Sequence, residues 1–340
     1  GDKANEYTEH FNTIFEALQN EYGASNVRYE PGVTYVPGFG KWQQENCTQE
    51  SINKAVQAAR GCDIIVACIG ENSYCETPGN VEDINLSANQ KNLVKALAKT
   101  GKPVVLVLNG GRPRIINDIE PLAQAVVEVI LPGNYGGDAL AALLSGRENF
   151  SGKLPFTYPR YINMLSTYDY KVSEVSATMV GVYNYDARID VLWPFGYGLS
   201  YTTFEYANLA MNAEAATTDE AITLSFDVKN TGEVAADEVA QIYLSPADGN
   251  TNIRPIQLQG FARVSLAPGE TKKVEVKMYT EQFGYYSNEG QRQWNIAPGK
   301  FAIKVGASSQ DIRLTGEVNL KGETVVKPLR DYYFSESTIN

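Results

Sequence analysis

Four carboxylates, Glu71, Glu76, Glu82 and Asp83, fall within the fourteen residues from Gly70 to Asp83. Clustered carboxylic groups suit proton transfer. Cleaving a glycosidic bond needs one acid to protonate the leaving oxygen and usually a second carboxylate across the sugar, roughly 5 to 5.5 Å away in retaining enzymes. One loop does not easily supply both partners. On spacing alone, the cluster fits solvated surface carboxylates best and a divalent-cation site less well. Asn109-Gly110-Gly111-Arg112-Pro113 is a second candidate, a glycine turn whose Arg112 suits a ligand, a loop carboxylate, or a structural clamp between two loops. Pro132-Gly133-Asn134-Tyr135-Gly136-Gly137 has neither the Lys-Ser/Thr ending of a phosphate loop nor the GxGxxG spacing.

Other chemistries are disfavoured by what the chain contains. His10 is its single histidine, which argues against Ser-His-Asp and Cys-His mechanisms; it is expected on a surface helix. The spacings of Cys47, Cys62, Cys68 and Cys75 match no common zinc pattern. They read as buried free thiols, with one or two disulfides as the alternative. Trp42, Trp193 and Trp294, with 21 tyrosines, would suit stacking on sugars, although aromatics serve cores more often. A formal charge of -11 and a pI near 4.8 argue against nucleic acid or an anionic membrane as partner. No window approaches a membrane-spanning apolar run, and the first residues do not read as a signal peptide.

The carboxylate loop is expected at a strand end, because the first 150 residues alternate helical periodicity with short, continuously apolar runs. Helices are predicted over 5–22, 48–60, from Ser87 to about Gly101, and from Gly136 onward. Ser87-Ala88-Asn89-Gln90 has the form of a capping box. Apolar runs at 63–69, 103–108 and 125–131 predict strands buried on both faces, hence a mostly parallel sheet covered by helices, with ligands meeting the loops at its carboxyl edge. From about Glu148 to Tyr206 periodicity fades into an aromatic-rich connector. Beyond it, alternation at Ile222, Leu224, Phe226 and Val228, at Val274, Val276 and Met278, and at Phe301, Ile303 and Val305 predicts an all-β immunoglobulin-like sandwich. Ala267-Pro268-Gly269-Glu270 and Ala297-Pro298-Gly299-Lys300 have the form of type II turns.

Several longer strings are specific. Ile69-Gly70-Glu71 through Glu76, Gly101 through Pro113, Leu131 through Leu140, Ser151 through Pro159, and Trp193 through Phe204 resemble, in order and spacing, the C-terminal α/β-sandwich domain and connector of glycoside hydrolase family 3. Val228 through Gly232, Gln241 through Leu244, Leu258 through Phe261, and Val305 through Ile312 resemble the fibronectin type III-like domain of that family's β-glucosidases. The resemblance implies an α/β domain at 1–160, a connector at 161–206, a fibronectin type III-like domain at 207–325 and a tail at 326–340. In members with the short Gly-Glu to Tyr-x-Glu-x-x-Gly motif, the second glutamate is the general acid/base, which falls on Glu76. Glu71 matches the first, a loop or substrate-side hydrogen bonder. Glu82 and Asp83 revert to solvated carboxylates.

The resemblance further implies a retaining, exo-acting β-glycosidase, most readily a β-glucosidase acting on terminal β-D-glucosyl residues of an oligosaccharide or glucoside. No metal, nucleotide or redox cofactor is implied, and a periplasmic or secreted location is. The family's nucleophilic aspartate belongs to an N-terminal (β/α)8 barrel with no counterpart here, and the α/β domain's first strand is expected to be missing too, so the segment is expected to need that barrel. A noncatalytic carbohydrate-binding or assembly module is the rival reading. A β-xylosidase or exo-β-glucanase of the same family is another.

Overall fold

The computed structural model describes residues 10–36, 44–71, 79–162, 164, 167–169, 191–212, 215–218, 220–250, 252–287 and 292–340. The chain divides into two compact units: residues 1–148 with 159–164, and residues 149–158 with 165–340.

In the first unit, α1 (Ile14–Tyr22) begins later than the periodicity predicts, because Thr13 and Glu16 form a reciprocal capping box that fixes the start. His10 therefore lies outside the helix, in an exposed turn. A short ladder of β1 (Thr34–Tyr35) and β2 (Glu45–Asn46) follows. Next come α2 (Gln49–Arg60), β3 (Ile65–Gly70), α3 (Ala88–Ala98), β4 (Val104–Asn109), β5 (Ala125–Ile130) and α4 (Gly136–Ser145). Strands β3, β4 and β5 form a parallel sheet in that order.

Burial on both faces, expected for all three strands, holds only for the central one. Val104, Leu106, Val107 and Leu108 of β4 are buried. In β3 the buried Ile65, Ala67 and Ile69 alternate with half-buried Val66 and exposed Cys68, and β5 is half-buried from Val126 to Val129 and exposed at Ala125 and Ile130. A continuous apolar run makes double burial affordable in energy, but only a strand flanked on both sides is shielded at its edges. The expected buried thiols are corrected with it: among the described residues Cys47 and Cys62 are half-buried, Cys68 is exposed, and all three are free. Cys75 and Trp42 lie outside the described residues.

The connector contributes β6 (Tyr158–Pro159) and β7 (Val191–Trp193). In the second unit, one antiparallel sheet runs β19 (Glu336–Ile339), β13 (Thr271–Tyr279), β10 (Ala221–Asn230), β8 (Phe204–Met211). The other runs β12 (Gln257–Leu266), β11 (Ala236–Pro246), β16 (Gly299–Gly306), β17 (Ile312–Lys321), β9 (Ala215–Thr217), with the last pair parallel. The alternating residues read from the sequence face one another: Ile222, Leu224, Phe226 and Val228 from one sheet and Ile303 and Val305 from the other belong to a single core and are fully buried. A smaller sheet joins β14 (Tyr285–Ser287), β15 (Gln293–Ile296) and β18 (Val325–Lys327).

Gly269 takes φ 75°, as a type II turn requires. Gly299 does not; it is already the first residue of β16. The residues read as a tail include β19, which pairs with β13 from Val274↔Ile339 to Lys277↔Glu336.

Candidate active site

Gly70 ends β3 at φ 145°, and a Cβ there would lie 1.9 Å from the Asn109 carbonyl oxygen. Only glycine permits β3 and β4 to approach this closely where the carboxylate loop departs. Gln90, fully buried in α3, grips the same residue: Gly70 N–H donates to its Oε1 at 2.7 Å, and its Nε2 donates to Gly70 O at 2.9 Å and Glu45 Oε1 at 2.7 Å. Tyr35 donates to Gly70 O at 3.0 Å. Burial, reinforced by the Glu45 charge, pushes the Tyr35 phenol up to about 12, so it remains a donor at any physiological pH. The capping box expected at Ser87 is therefore half made. Ser87 Oγ accepts from Gln90 N–H at 3.2 Å, but the Gln90 side chain is committed to Gly70 instead.

Glu71 N–H donates to Asn109 O at 2.9 Å, which continues the strand pairing by one residue. Its side chain is only 5% exposed and lies between two guanidinium groups. Arg112 Nε is 3.0 Å from Glu71 Oε1, and Arg114 Nη2 pairs with the same oxygen. Each arginine also spans to the far side of the loop. Arg112 Nη2 donates to Gly79 O at 2.7 Å, and Arg114 Nη1 donates to Asp83 O at 3.0 Å and Asn85 O at 3.4 Å.

Asn85 and Ile115 bridge in parallel, with Ile115 N–H donating to Ile84 O at 3.0 Å, so the returning chain runs alongside the segment carrying Arg114. The loop residues between these anchors, 72–78, include Glu76 and lie outside the described residues. Of the sequence candidates, the fold thus brings Glu71 and Arg112 together. It takes from Glu82 and Asp83 no carboxylate into the pair; Asp83 contributes its carbonyl.

Two participants escaped the sequence reading, as did a carboxylate on the neighbouring strand β5. Arg114 had a signal: Pro113 biases Arg112 toward extended backbone, and alternate residues of an extended segment point the same way. Gln90 was read only as a capping partner. Glu128 was hidden in a strand. It precedes a bulge at which Leu108↔Glu128 gives way to Asn109↔Ile130, and Ile130 takes φ 52°, an unusual conformation for a β-branched residue. Ile130 N–H donates to Glu128 Oε1 at 3.0 Å, and burial raises the Glu128 carboxyl from 4.5 to about 7.

The family model for the glycosyl hydrolase family 3 C-terminal domain matches residues 1–201. This chain belongs to glycosyl hydrolase family 3. A fibronectin type III-like domain model matches residues 238–309. The chain is 34% identical over 322 residues to a periplasmic β-glucosidase of Salmonella typhimurium, covering 88% of this chain and 42% of that protein. It is 34% identical over 267 residues to a β-xylosidase of Formosa agariphila, covering 78% and 36%. A β-glucosidase structure from Erythrobacter marinus superposes with a TM-score of 0.80 at 27% identity, covering 91% of this chain and 43% of that one. The chain thus spans less than half the length of these family 3 relatives.

Proposed function

We propose that this chain is the acid/base half of a retaining, exo-acting family 3 β-glycosidase, with Glu76 as general acid/base. Glu76 protonates the glycosidic oxygen as an aspartate of a (β/α)8 barrel, outside residues 1–340, attacks the anomeric carbon. It then takes a proton from the water that releases the glycosyl-enzyme. The observation that carries this reading is the anchored loop at the carboxyl edge of the β3–β5 sheet, in a chain whose residues 1–201 match the family's C-terminal domain. The barrel of the same enzyme is the required partner. The substrate is a β-linked glucoside or oligosaccharide, and the names of the relatives support β-glucosidase first and β-xylosidase second. A periplasmic or secreted location rests on the Salmonella relative's name.

The test is Glu76→Gln in the full-length enzyme. Hydrolysis of an alkyl glucoside, whose leaving group needs protonation, should fall by about 10²–10⁴-fold. An aryl glucoside with an acidic phenol leaving group should keep a much larger share of its glycosylation rate. Unchanged turnover of both substrates would remove Glu76 from the mechanism.

A further inference from the structure

The small sheet of β14, β15 and β18 carries aromatic side chains that its packing leaves open. Tyr286 and Trp294 are register partners, as are Trp294 and Lys327, so the three stand in one row across the sheet. The segment after β18 extends that row. The Arg330 guanidinium lies 4.8 Å from the centre of the Trp294 ring and 4.4 Å from that of Tyr333, and the Tyr286 and Trp294 rings are 6.5 Å apart. Beside them Tyr332 stacks on Tyr279 with ring centroids 3.6 Å apart. Tyr286, Tyr332 and Tyr333 nonetheless remain 47%, 45% and 48% exposed, and Phe334 81%. So many open rings in one short stretch form a surface patch of the kind that meets a ligand or partner.

The rings are held in place from beneath. Buried Glu281 accepts from the Asp331 and Tyr332 N–H groups at 2.7 and 3.0 Å, and its carbonyl accepts from Trp294 Nε1 at 2.8 Å. Gly284 makes room for that indole contact, since a Cβ there would stand 2.5 Å from Trp294 Nε1. Rings fixed in this way lose little entropy when a ligand settles on them. The patch is also balanced in charge on a chain whose formal charge is -11. Lys327 pairs with Glu281 and Asp331, and Lys277 donates to the Tyr279 hydroxyl, which donates to Glu336. Lys277, Lys327 and Arg330 thus match Glu281, Asp331 and Glu336 one for one. A charged polymer meets no net field there. A neutral polyhydroxy chain, by contrast, offers C–H faces to the rings and hydroxyls to Lys327 and Asp331 at the rim. Resting on the β-glucoside reading above, we propose that this strip is a second, noncatalytic sugar-binding surface whose ligand is a neutral β-glucan chain. Its pyranose faces stack on Tyr286 and Tyr333, which keeps the polymer attached to the enzyme.

The experiment is affinity electrophoresis of the full-length enzyme through gels containing soluble mixed-linkage β-glucan, xylan or polygalacturonate, with hydrolysis of an aryl β-glucoside measured alongside. One variant combines Tyr286→Leu with Tyr333→Leu, which keeps apolar bulk and removes two rings; a second combines Tyr286→Phe with Tyr333→Phe, which keeps the rings. Tyr333→Leu alone serves if the leucine pair does not fold. The β-glucan gel should retard the unsubstituted enzyme and the phenylalanine pair alike, and the leucine pair should bind with a Kd raised by about 10-fold or more. Activity on the aryl glucoside should be the same in all three. Absence of retardation by β-glucan, equal retardation of the leucine pair, or retardation by xylan or polygalacturonate in its place would overturn the proposal. A leucine pair that keeps its retardation and changes the oligomeric state in sedimentation would mark the strip as an interface between copies, and the proposal falls. Hydrolysis of the aryl glucoside without retention removes the strip alone, whereas retention without hydrolysis removes the glucosidase reading.

Discussion

The two units place their apolar and strained residues in opposite ways. In the sandwich, Phe226, Leu224, Val276 and Ile303 are fully buried in one core shared by both sheets, and its left-handed non-glycine residue among those described is Asn208. Asparagine tolerates that conformation, and its side chain donates to Asp227 at 2.7 Å. In the α/β unit, β3 and β5 leave alternate or successive residues half-open, and the left-handed non-glycine residue among those described is Ile130, which has no such tolerance. The buried charge also differs in use. Glu281 of the sandwich accepts from the Asp331 and Tyr332 N–H groups at 2.7 and 3.0 Å and pairs with Lys327, which closes the chain's last segment onto the fold. Glu71 directs two arginines onto a loop that carries a candidate catalytic group. One unit is organised for stability, and the other tolerates exposure and strain at the edge where chemistry is expected.

This contrast breaks most easily in the cores. Phe226→Ala should cost the sandwich about 3–5 kcal/mol, while Val129→Ala in β5 should cost the α/β unit less than about 1 kcal/mol. Urea unfolding read by pulse proteolysis, with fragments mapped to each unit, checks both values. Comparable costs would mean that β5 is packed as tightly as β10.

A smaller effect follows from Glu128. Its carboxyl is raised from 4.5 to about 7 by burial, so between those values the folded state binds more protons than the unfolded state. Its contribution to stability is therefore fully present below about pH 4.5 and lost as pH rises through about 7. The α/β unit should lose on the order of 1–3 kcal/mol over that interval through this group. Glu128→Gln, which can still accept from Ile130 N–H, should flatten the dependence when unfolding is measured at pH 4.5, 6 and 8. An unchanged slope would show that the carboxyl is not the group responsible.

The smallest effect is at Ile130. Replacing it by glycine removes a left-handed penalty of roughly 1–2 kcal/mol and restores most of that as backbone entropy. Ile130→Gly should thus be neutral or stabilising by up to about 1 kcal/mol in the same assay, whereas a β-branched residue in ordinary strand geometry would lose stability.

Much of this architecture was readable from residue patterns. The alternations at Ile222–Val228 and Phe301–Val305 placed the sandwich core correctly, because a period of two leaves one interior face. The apolar runs at 63–69 and 103–108 placed the strands but overstated their burial, since a run of apolar side chains does not state how many neighbours a strand has. His10 was assigned to a helix that Thr13 and Glu16 start later. At the site, Glu71 and Arg112 were visible as residue types. Their pairing with Arg114, the carbonyls at Gly79 and Asp83, and the diversion of Gln90 from its cap were not, because they join segments far apart in the chain. The role proposed for Glu76 rests on the family motif and not on its spacing.

The division of labour proposed here is tested most directly by covalent labelling of the full-length enzyme with a 2-deoxy-2-fluoro glycoside bearing an activated leaving group, followed by peptide mass mapping. Such a reagent stops a retaining enzyme at its glycosyl intermediate. The account predicts that the label sits on an aspartate outside residues 1–340 and that none appears within them. A label on any carboxylate of this chain, Glu71, Glu76 or Glu128 included, would contradict it.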